Sequence, residues 1–260
     1  MINYDGRFLL IYLAIKYQGN YDKIMAALHL SEDPPFEEAM ATFKSLKCKV
    51  LTILDYDYPE KLKQIPHPPI VLFYYGDISL LNKYCIGTVG SRKVNAYGKY
   101  STEMILKGLA PGRVVVSGMA RGIDTIAHTC AIKNGGRTIA VLGSGIDYAY
   151  PTSNKLLYEI IKKKHLVISE YPGMTPPEPT NFPARNRIIV GLSDFVYVPQ
   201  INDYATGTMI SVNLTLNMGK TLVVAPHPIY SGTLNNMLIS EGALIAVDPE
   251  QIKYELKIKD

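Results

Sequence analysis

The sequence predicts an α/β fold, an open parallel sheet with helices on both faces. Three observations predict it. From Tyr84 onward, short apolar runs alternate with longer helical stretches, the pattern of successive βαβ units. Several runs, such as Val114-Val115-Val116, are apolar throughout, as expected of strands buried on both faces. The turns after these runs are rich in glycine and hydroxyl residues, which suits tight strand-to-helix connections. With 260 residues, 47% hydrophobic and 19% charged, the chain has enough apolar material for one sizeable core, and wholesale disorder is not expected.

The elements follow in order. Residues 1–57 predict a small, mainly helical N-terminal lobe. Leu9, Leu10, Leu13 and Tyr17 keep helical spacing, and a second helix fits Asp22–Leu30. Residues 58–80 predict a linker and lead-in, because Pro59, Pro66, Pro68 and Pro69 favour extended backbone. Residues 81–250 carry the sheet. Seven strands are expected at Cys85–Val89, Val114–Ser117, Thr138–Leu142, Leu166–Ser169, Phe195–Val198, Thr221–Val224 and Ala243–Val247. Helices are expected at Tyr97–Leu109, Ile123–Lys133, Asn154–Lys163, Ala184–Gly191, Gly207–Asn217 and Thr233–Ser240. Residues 251–260 remain as a C-terminal tail. The domain is therefore expected to be a Rossmann-like open parallel sheet.

Composition narrows the function classes. Cys48, Cys85 and Cys130 form no CxxC pair, and the five histidines form no HExxH, so neither a disulfide framework nor a metal site is expected. No run of eighteen apolar residues and no secretion signal stands in the sequence, so a cytoplasmic location without membrane contact is expected. Net charge is only +4, but residues 1–80 are at −2 and residues 84–190 at +8. A basic field in the middle of the chain attracts polyanions. Lys162-Lys163-Lys164 is read apart from that field, as cations suited to a helix C-terminus.

The candidate site falls in the same stretch. In an open α/β sheet, ligands bind beyond the carboxyl ends of the strands. Four turns are expected there: Gly90-Ser91-Arg92, Ser117-Gly118-Met119-Ala120-Arg121-Gly122, Gly143-Ser144-Gly145 and Thr206-Gly207-Thr208. Glycine lets backbone amides approach a ligand. A following helix start offers unpaired N–H groups at the positive end of a dipole. Ser and Thr add hydroxyls, and Arg92 and Arg121 add forked charges that match phosphate oxygens. Any one such turn also serves geometry and helix capping; four along one sheet edge predict a phosphate cradle. The third position of a GxGxxG motif after Gly143 is occupied by Tyr148, which argues against a dinucleotide enzyme and for a chain with no cofactor.

A further cluster is Asn181-Phe182-Pro183-Ala184-Arg185-Asn186-Arg187. Two arginines in a first helical turn oppose the helix dipole, which points to an anionic partner. Arg185 and Arg187 cannot share one helix face. One is expected to reach nucleic acid, the other to form an internal ion pair, with Asn186 between them. Phe182 either stacks on a base or staples the helix start. Asp124, in a first helical turn, reads as structural rather than as an acid or base, and Asp147 is the other carboxylate near these turns.

The runs Val89-Gly90-Ser91-Arg92-Lys93 and Ser117 to Asp124 resemble the DNA-processing protein A family, also called Smf. So do Ala140 to Asp147, Tyr150-Pro151, Ile168 to Pro172 and Phe182 to Arg187. The resemblance spans roughly residues 55–248 and implies an extended form of the Rossmann-like fold and a binding protein rather than an enzyme. It further implies a homodimer that binds single-stranded DNA through Arg92 and assists loading of the RecA recombinase, in natural transformation or another recombination pathway. The sequence departs from the family pattern at Pro179, where a lysine is usual, around Val198-Pro199-Gln200, where a glutamate is usual, and at Pro226-His227. Two alternatives stand beside this reading. One is a nucleoside-monophosphate phosphoribohydrolase, whose GGxGTxxE loop would put Tyr204-Ala205 at the paired glycines and Ser211 at the glutamate. The other is a small-nucleotide sensor using the same cradle.

Overall fold

The computed structural model describes residues 6–204 and 206–258. Three helices come first: α1 (Gly6–Lys16), α2 (Tyr21–His29) and α3 (Phe36–Lys44). Strand β1 (Lys49–Thr52), the short helix α4 (Glu60–Lys63) and strand β2 (Val71–Gly76) follow. Then come β3 (Cys85–Thr88), α5 (Ala96–Leu109), β4 (Val114–Ser117), α6 (Ile123–Lys133), β5 (Arg137–Leu142) and α7 (Lys155–Lys164). The chain continues with β6 (Leu166–Ser169), α8 (Asn181–Leu192), β7 (Phe195–Val198), α9 (Gly207–Asn217), β8 (Thr221–Val224), α10 (Asn235–Ser240), β9 (Leu244–Ile245) and α11 (Pro249–Glu255).

The strands form one sheet in the order β1-β2-β6-β5-β4-β3-β7-β8-β9. From β6 to β9 every neighbouring pair is parallel, and these are the seven expected strands. Two antiparallel strands extend the β6 edge. This corrects two expectations. Lys49–Thr52 lies in the stretch read as a helical lobe, and Val71–Gly76 in the stretch read as linker and lead-in. Neither strand is tied to its sheet neighbours by a crossover helix, and β2 pairs with β6, some ninety residues further along the chain. The alternation that marks βαβ units is therefore missing from both.

Side chains alternate across the sheet with a period of two. Val114, Val116, Ile139, Val141, Ile168, Val196 and Val198 face α8 and α9, represented by Ile188, Ile189, Leu192 and Val212. Ile86, Val115, Phe195, Tyr197 and Val223 face the other way, onto Ile105, Leu106 and Leu109 of α5 and Ala127 and Ala131 of α6. Full burial of each Ile, Leu or Phe is worth about 1.5–3 kcal/mol. The N-terminal helices do not stand apart. Leu10, Ile11, Leu13 and Ile24 share a core with Val71, Phe73, Ala140, Leu142 and Val167 of the sheet.

Two features position the site. The chain leaves β3 toward β4, β5 and β6 on one side, and β7 toward β8 and β9 on the other. The connections after β3 and β7 therefore diverge, leaving a crevice at the switch point. Helix α8 begins beside that crevice. Its far end is fixed by Lys220, whose ammonium donates to the carbonyls of Val190, Gly191 and Ser193 at 2.6–2.7 Å.

Candidate nucleic-acid interface

A cleft of about 840 Å³ opens at the switch point, within the size range of ligand sites. One wall is the turn after β3. Gly90 packs tightly there: a Cβ would meet the Ile123 side chain at 2.5 Å. The buried Ser91 ties this turn to the connection after β7. Its N–H donates to the Gln200 carbonyl at 2.9 Å, and its hydroxyl accepts from the Asn202 N–H at 3.1 Å. Arg92 and Lys93 follow, both exposed. The Arg92 guanidinium lies 5.9 Å from the centre of the Phe182 ring, a cation–π distance. Phe182 also meets Tyr150, with ring centres 5.7 Å apart, and it packs over Gly143, where a Cβ would lie 2.8 Å from the ring. The cleft thus contains a shelf of two aromatic rings capped by a cation.

The opposite wall is the start of α9. Thr206 caps it, its hydroxyl accepting from the Met209 N–H at 3.3 Å. Gly207 is loosely packed: a Cβ added there would make only an ordinary contact, with the Asn186 amide nitrogen at 3.9 Å. Asn186 ties α8 to this wall: its amide donates to the Gly207 carbonyl at 3.0 Å and accepts from Arg185 Nε at 3.2 Å. Of the residues singled out in the sequence, Gly90, Ser91, Arg92, Phe182, Arg185, Asn186, Thr206, Gly207 and Thr208 line this one cleft.

Ala120 and Asp124 also reach its lining, whereas Ser117, Gly118, Arg121, Gly143, Ser144, Gly145 and Arg187 do not. Ser117 donates to the Thr88 carbonyl at 2.6 Å. The amides of Gly118 and Ala120 both donate to Asp124 at 3.1 Å, so this turn's donors serve its own carboxylate. Burial pushes the Asp124 pKa up, while the nearby Arg185 and these amides push it down. Ser144 donates to the Tyr148 carbonyl, and the Gly145 amide to the Thr175 carbonyl, both at 2.8 Å. The Gly143-Ser144-Gly145 turn therefore buttresses the segment before α8. Asp147 accepts from the Tyr75 hydroxyl at 2.7 Å. Arg121 is exposed, without a partner among the described residues, and lies outside the cleft.

The two arginines of α8 divide differently from expectation. Arg187 makes the internal pair, a bidentate contact with the buried Glu170 at 2.6 Å on each arm. Arg185, expected to be left for a ligand, is 5% exposed. Its guanidinium donates to the Gly118 carbonyl at 2.6 Å and to the Val141 carbonyl. Burial lowers its pKa to about 10, against the opposing pull of Asp124. It stitches the ends of β4 and β5 to α8 through backbone carbonyls, with the Asp124 carboxylate close enough to offset part of the cost of its burial. The free cations of the cleft are instead Arg92 and Lys93.

Chain-wide comparison agrees with this geometry. The family model for DNA recombination-mediator protein A matches residues 49–257, from the first residue of β1 past the end of α11. The chain belongs to this family. DNA processing protein DprA of Streptococcus pneumoniae is 39% identical over 208 residues, covering 79% of this chain and 73% of that protein. The X-ray structure of DprA from the same species superposes with a TM-score of 0.79 at 34% identity, over 95% of this chain and 93% of that one. DNA processing protein A from Helicobacter pylori, described for its single-stranded DNA binding mode, superposes at 0.72 with 30% identity, over 82% and 97%.

Within this recombination-mediator fold, the departures have structural places. Pro179 lines the cleft where the family pattern has a lysine. Gln200 is 2% exposed and holds the turn after β3 together, donating to the Lys93 carbonyl and accepting from the Asn95 N–H at 3.1 Å. Tyr150, Tyr204 and Asn202 also line the cleft and were not singled out. Tyr150 carries a signal only through its place in a family motif. Among 19 tyrosines, nothing local distinguishes Tyr204. Ser211, at the glutamate position of the phosphoribohydrolase alignment, is 1% exposed and donates to the Gly207 carbonyl. Ala205, at one of that alignment's glycine positions, lies outside the described residues. Asp124 is the only carboxylate among the cleft's described lining residues, and two amides hold it. No helix of the described residues is long and apolar enough to cross a membrane.

Proposed function

We propose that this recombination mediator binds single-stranded DNA in the switch-point cleft and presents the strand for recombination. The observation that carries the reading is the Arg92–Phe182–Tyr150 shelf beside the open start of α9. An unpaired base can add to the aromatic shelf, at about 1–3 kcal/mol per stacked base. The adjoining phosphate then meets Arg92, Lys93 and the amides of the α9 first turn. Both contacts need an unpaired strand, so duplex DNA fits poorly. The relative from Helicobacter pylori, described for its single-stranded DNA binding mode, supports the same assignment. Family membership supports the further steps of the reading: assembly as a homodimer and delivery of the strand to RecA, in transformation or another recombination pathway.

The test is a binding titration with single-stranded and duplex oligonucleotides at several salt concentrations. Neutralising three or four phosphates gives a log–log salt slope of about −2 to −3 on single strands. Arg92→Ala is expected to weaken binding about tenfold for all sequences alike and to flatten the slope by about 0.7. An unchanged slope would remove Arg92 from the interface. A mononucleotide that binds as tightly as an oligonucleotide would favour the small-nucleotide reading instead.

A further inference from the structure

A second groove, of about 440 Å³, runs between α5 and α6 on the face away from α8 and α9. Lys99 and Lys107 of α5 and Lys133 of α6 line it, together with Thr125, Thr129 and Asn134. The three lysines are exposed and have no partner among the described residues. Lys99 and Lys107 are eight residues apart on one helix, roughly 12 Å along its axis. Glu103 stands between them, so the lane keeps a net positive charge.

The groove begins where the cleft ends. Ala120 and Asp124 line the cleft, and Thr125, the next residue of α6, lines the groove. The Thr125 hydroxyl donates to the Ala120 carbonyl at 2.8 Å, so one turn of backbone forms the border. Arg121, exposed and unpartnered among the described residues, sits in the same turn. Between the cleft and Lys133 a flexible polyanion would meet Arg121, the Thr125 and Thr129 hydroxyls and the lysines, with Glu103 the one carboxylate and no aromatic ring among the groove's described lining residues.

We propose that the α5–α6 groove is a second track for the phosphodiester backbone of a single strand, continuing from the switch-point cleft over Arg121 to Lys99, Lys107 and Lys133. The proposal rests on the cleft reading above. It assigns backbone contact without base stacking, so the groove adds affinity and salt dependence but no sequence preference.

The test compares an oligonucleotide of about 6 residues, which the cleft can hold, with one of about 25. For the wild-type protein, the longer strand is expected to have a salt slope steeper by about 2, from three more phosphates at about 0.7 each. The triple variant Lys99→Glu/Lys107→Glu/Lys133→Glu should lose that extra slope and bind the longer strand at least about tenfold more weakly near 0.1 M salt, with the shorter strand nearly unchanged. Glu103→Gln should tighten the longer strand alone. A control with the same change in net charge, Lys23→Glu/Lys44→Glu/Lys47→Glu on α2, α3 and the loop after α3, should leave the difference between the strands intact. If the groove triple spares the longer strand, weakens both strands equally or matches the control, the second track is overturned. Failure of the cleft reading would look different: Arg92→Ala would then leave both strands unaffected.

Discussion

The sheet edge has two halves built from the same local material and put to different uses. Beside the switch point, Ser91 bonds the turn after β3 to the connection after β7, and the cleft stays open between the exposed Arg92 and Lys93 and the start of α9. Over β4 and β5, equally glycine-rich turns are closed by the protein itself. Asp124 takes the amides of Gly118 and Ala120, Arg185 takes carbonyls of both strand ends, and Gly145 binds Thr175. A glycine-hydroxyl turn after a parallel strand is thus a supply of unpaired donors. Whether a ligand or the protein takes them depends on what stands opposite. The closed half holds the rings and charges of the open half in place: Gly143 supports Phe182, and Arg185 fixes the helix that carries it.

The sharpest way to break this contrast is Arg185→Met. If the closed half is a structural clamp, the variant strands the buried Gly118 and Val141 carbonyls and should lose about 1–3 kcal/mol of stability for each, read as a drop in the denaturant midpoint. A variant of wild-type stability that fails only in DNA binding would return Arg185 to the ligand.

A second clamp-side test uses pH. Burial lowers His128 to about 3 from an ordinary 6.5. Its Nδ1 pairs with Thr138 at 2.6 Å, while its Nε2 is buried without a partner. The unfolded chain takes up a proton below about 6.5 and the folded chain does not until about 3, so this group's stability contribution falls as pH drops through that window. The slope is up to about 1.4 kcal/mol per pH unit, or ~2 kcal/mol between pH 6.5 and 5. Urea unfolding at several pH values should show the loss, and His128→Gln should flatten it.

On the open half, Phe182→Ala should weaken single-strand binding by about 1–3 kcal/mol, with no base preference in the loss. Some stability should go with it, because the ring covers Gly143; Arg92→Ala should reduce binding and leave the melting temperature unchanged. The smallest effect is expected at Gly207→Ala. With the nearest atom 3.9 Å from the new Cβ, stability should hold or rise by up to about 1 kcal/mol from helix propensity. Affinity should fall only if phosphate approaches that backbone closely.

Much of this was legible in the sequence. The seven parallel strands and their helices follow from alternating apolar runs, and the cleft's Gly90, Ser91, Arg92, Phe182, Thr206, Gly207 and Thr208 stand at strand-to-helix turns. The edge strands β1 and β2 were not legible as strands, because they pair antiparallel and no crossover helix ties them to their sheet neighbours as in the βαβ pattern. Arg185 was misplaced for a related reason. A cation in a first helical turn signals an anion, and spacing alone does not distinguish a phosphate from Asp124, sixty-one residues earlier in the chain.

The sequence by itself determined the element types, the parallel core and the chemistry available at each turn, since these depend on periodicity and on residues near in the chain. The tertiary structure alone decided which of those donors and cations remain free. That depends on which distant groups meet across the sheet edge, and a buried donor takes whatever acceptor the packing delivers.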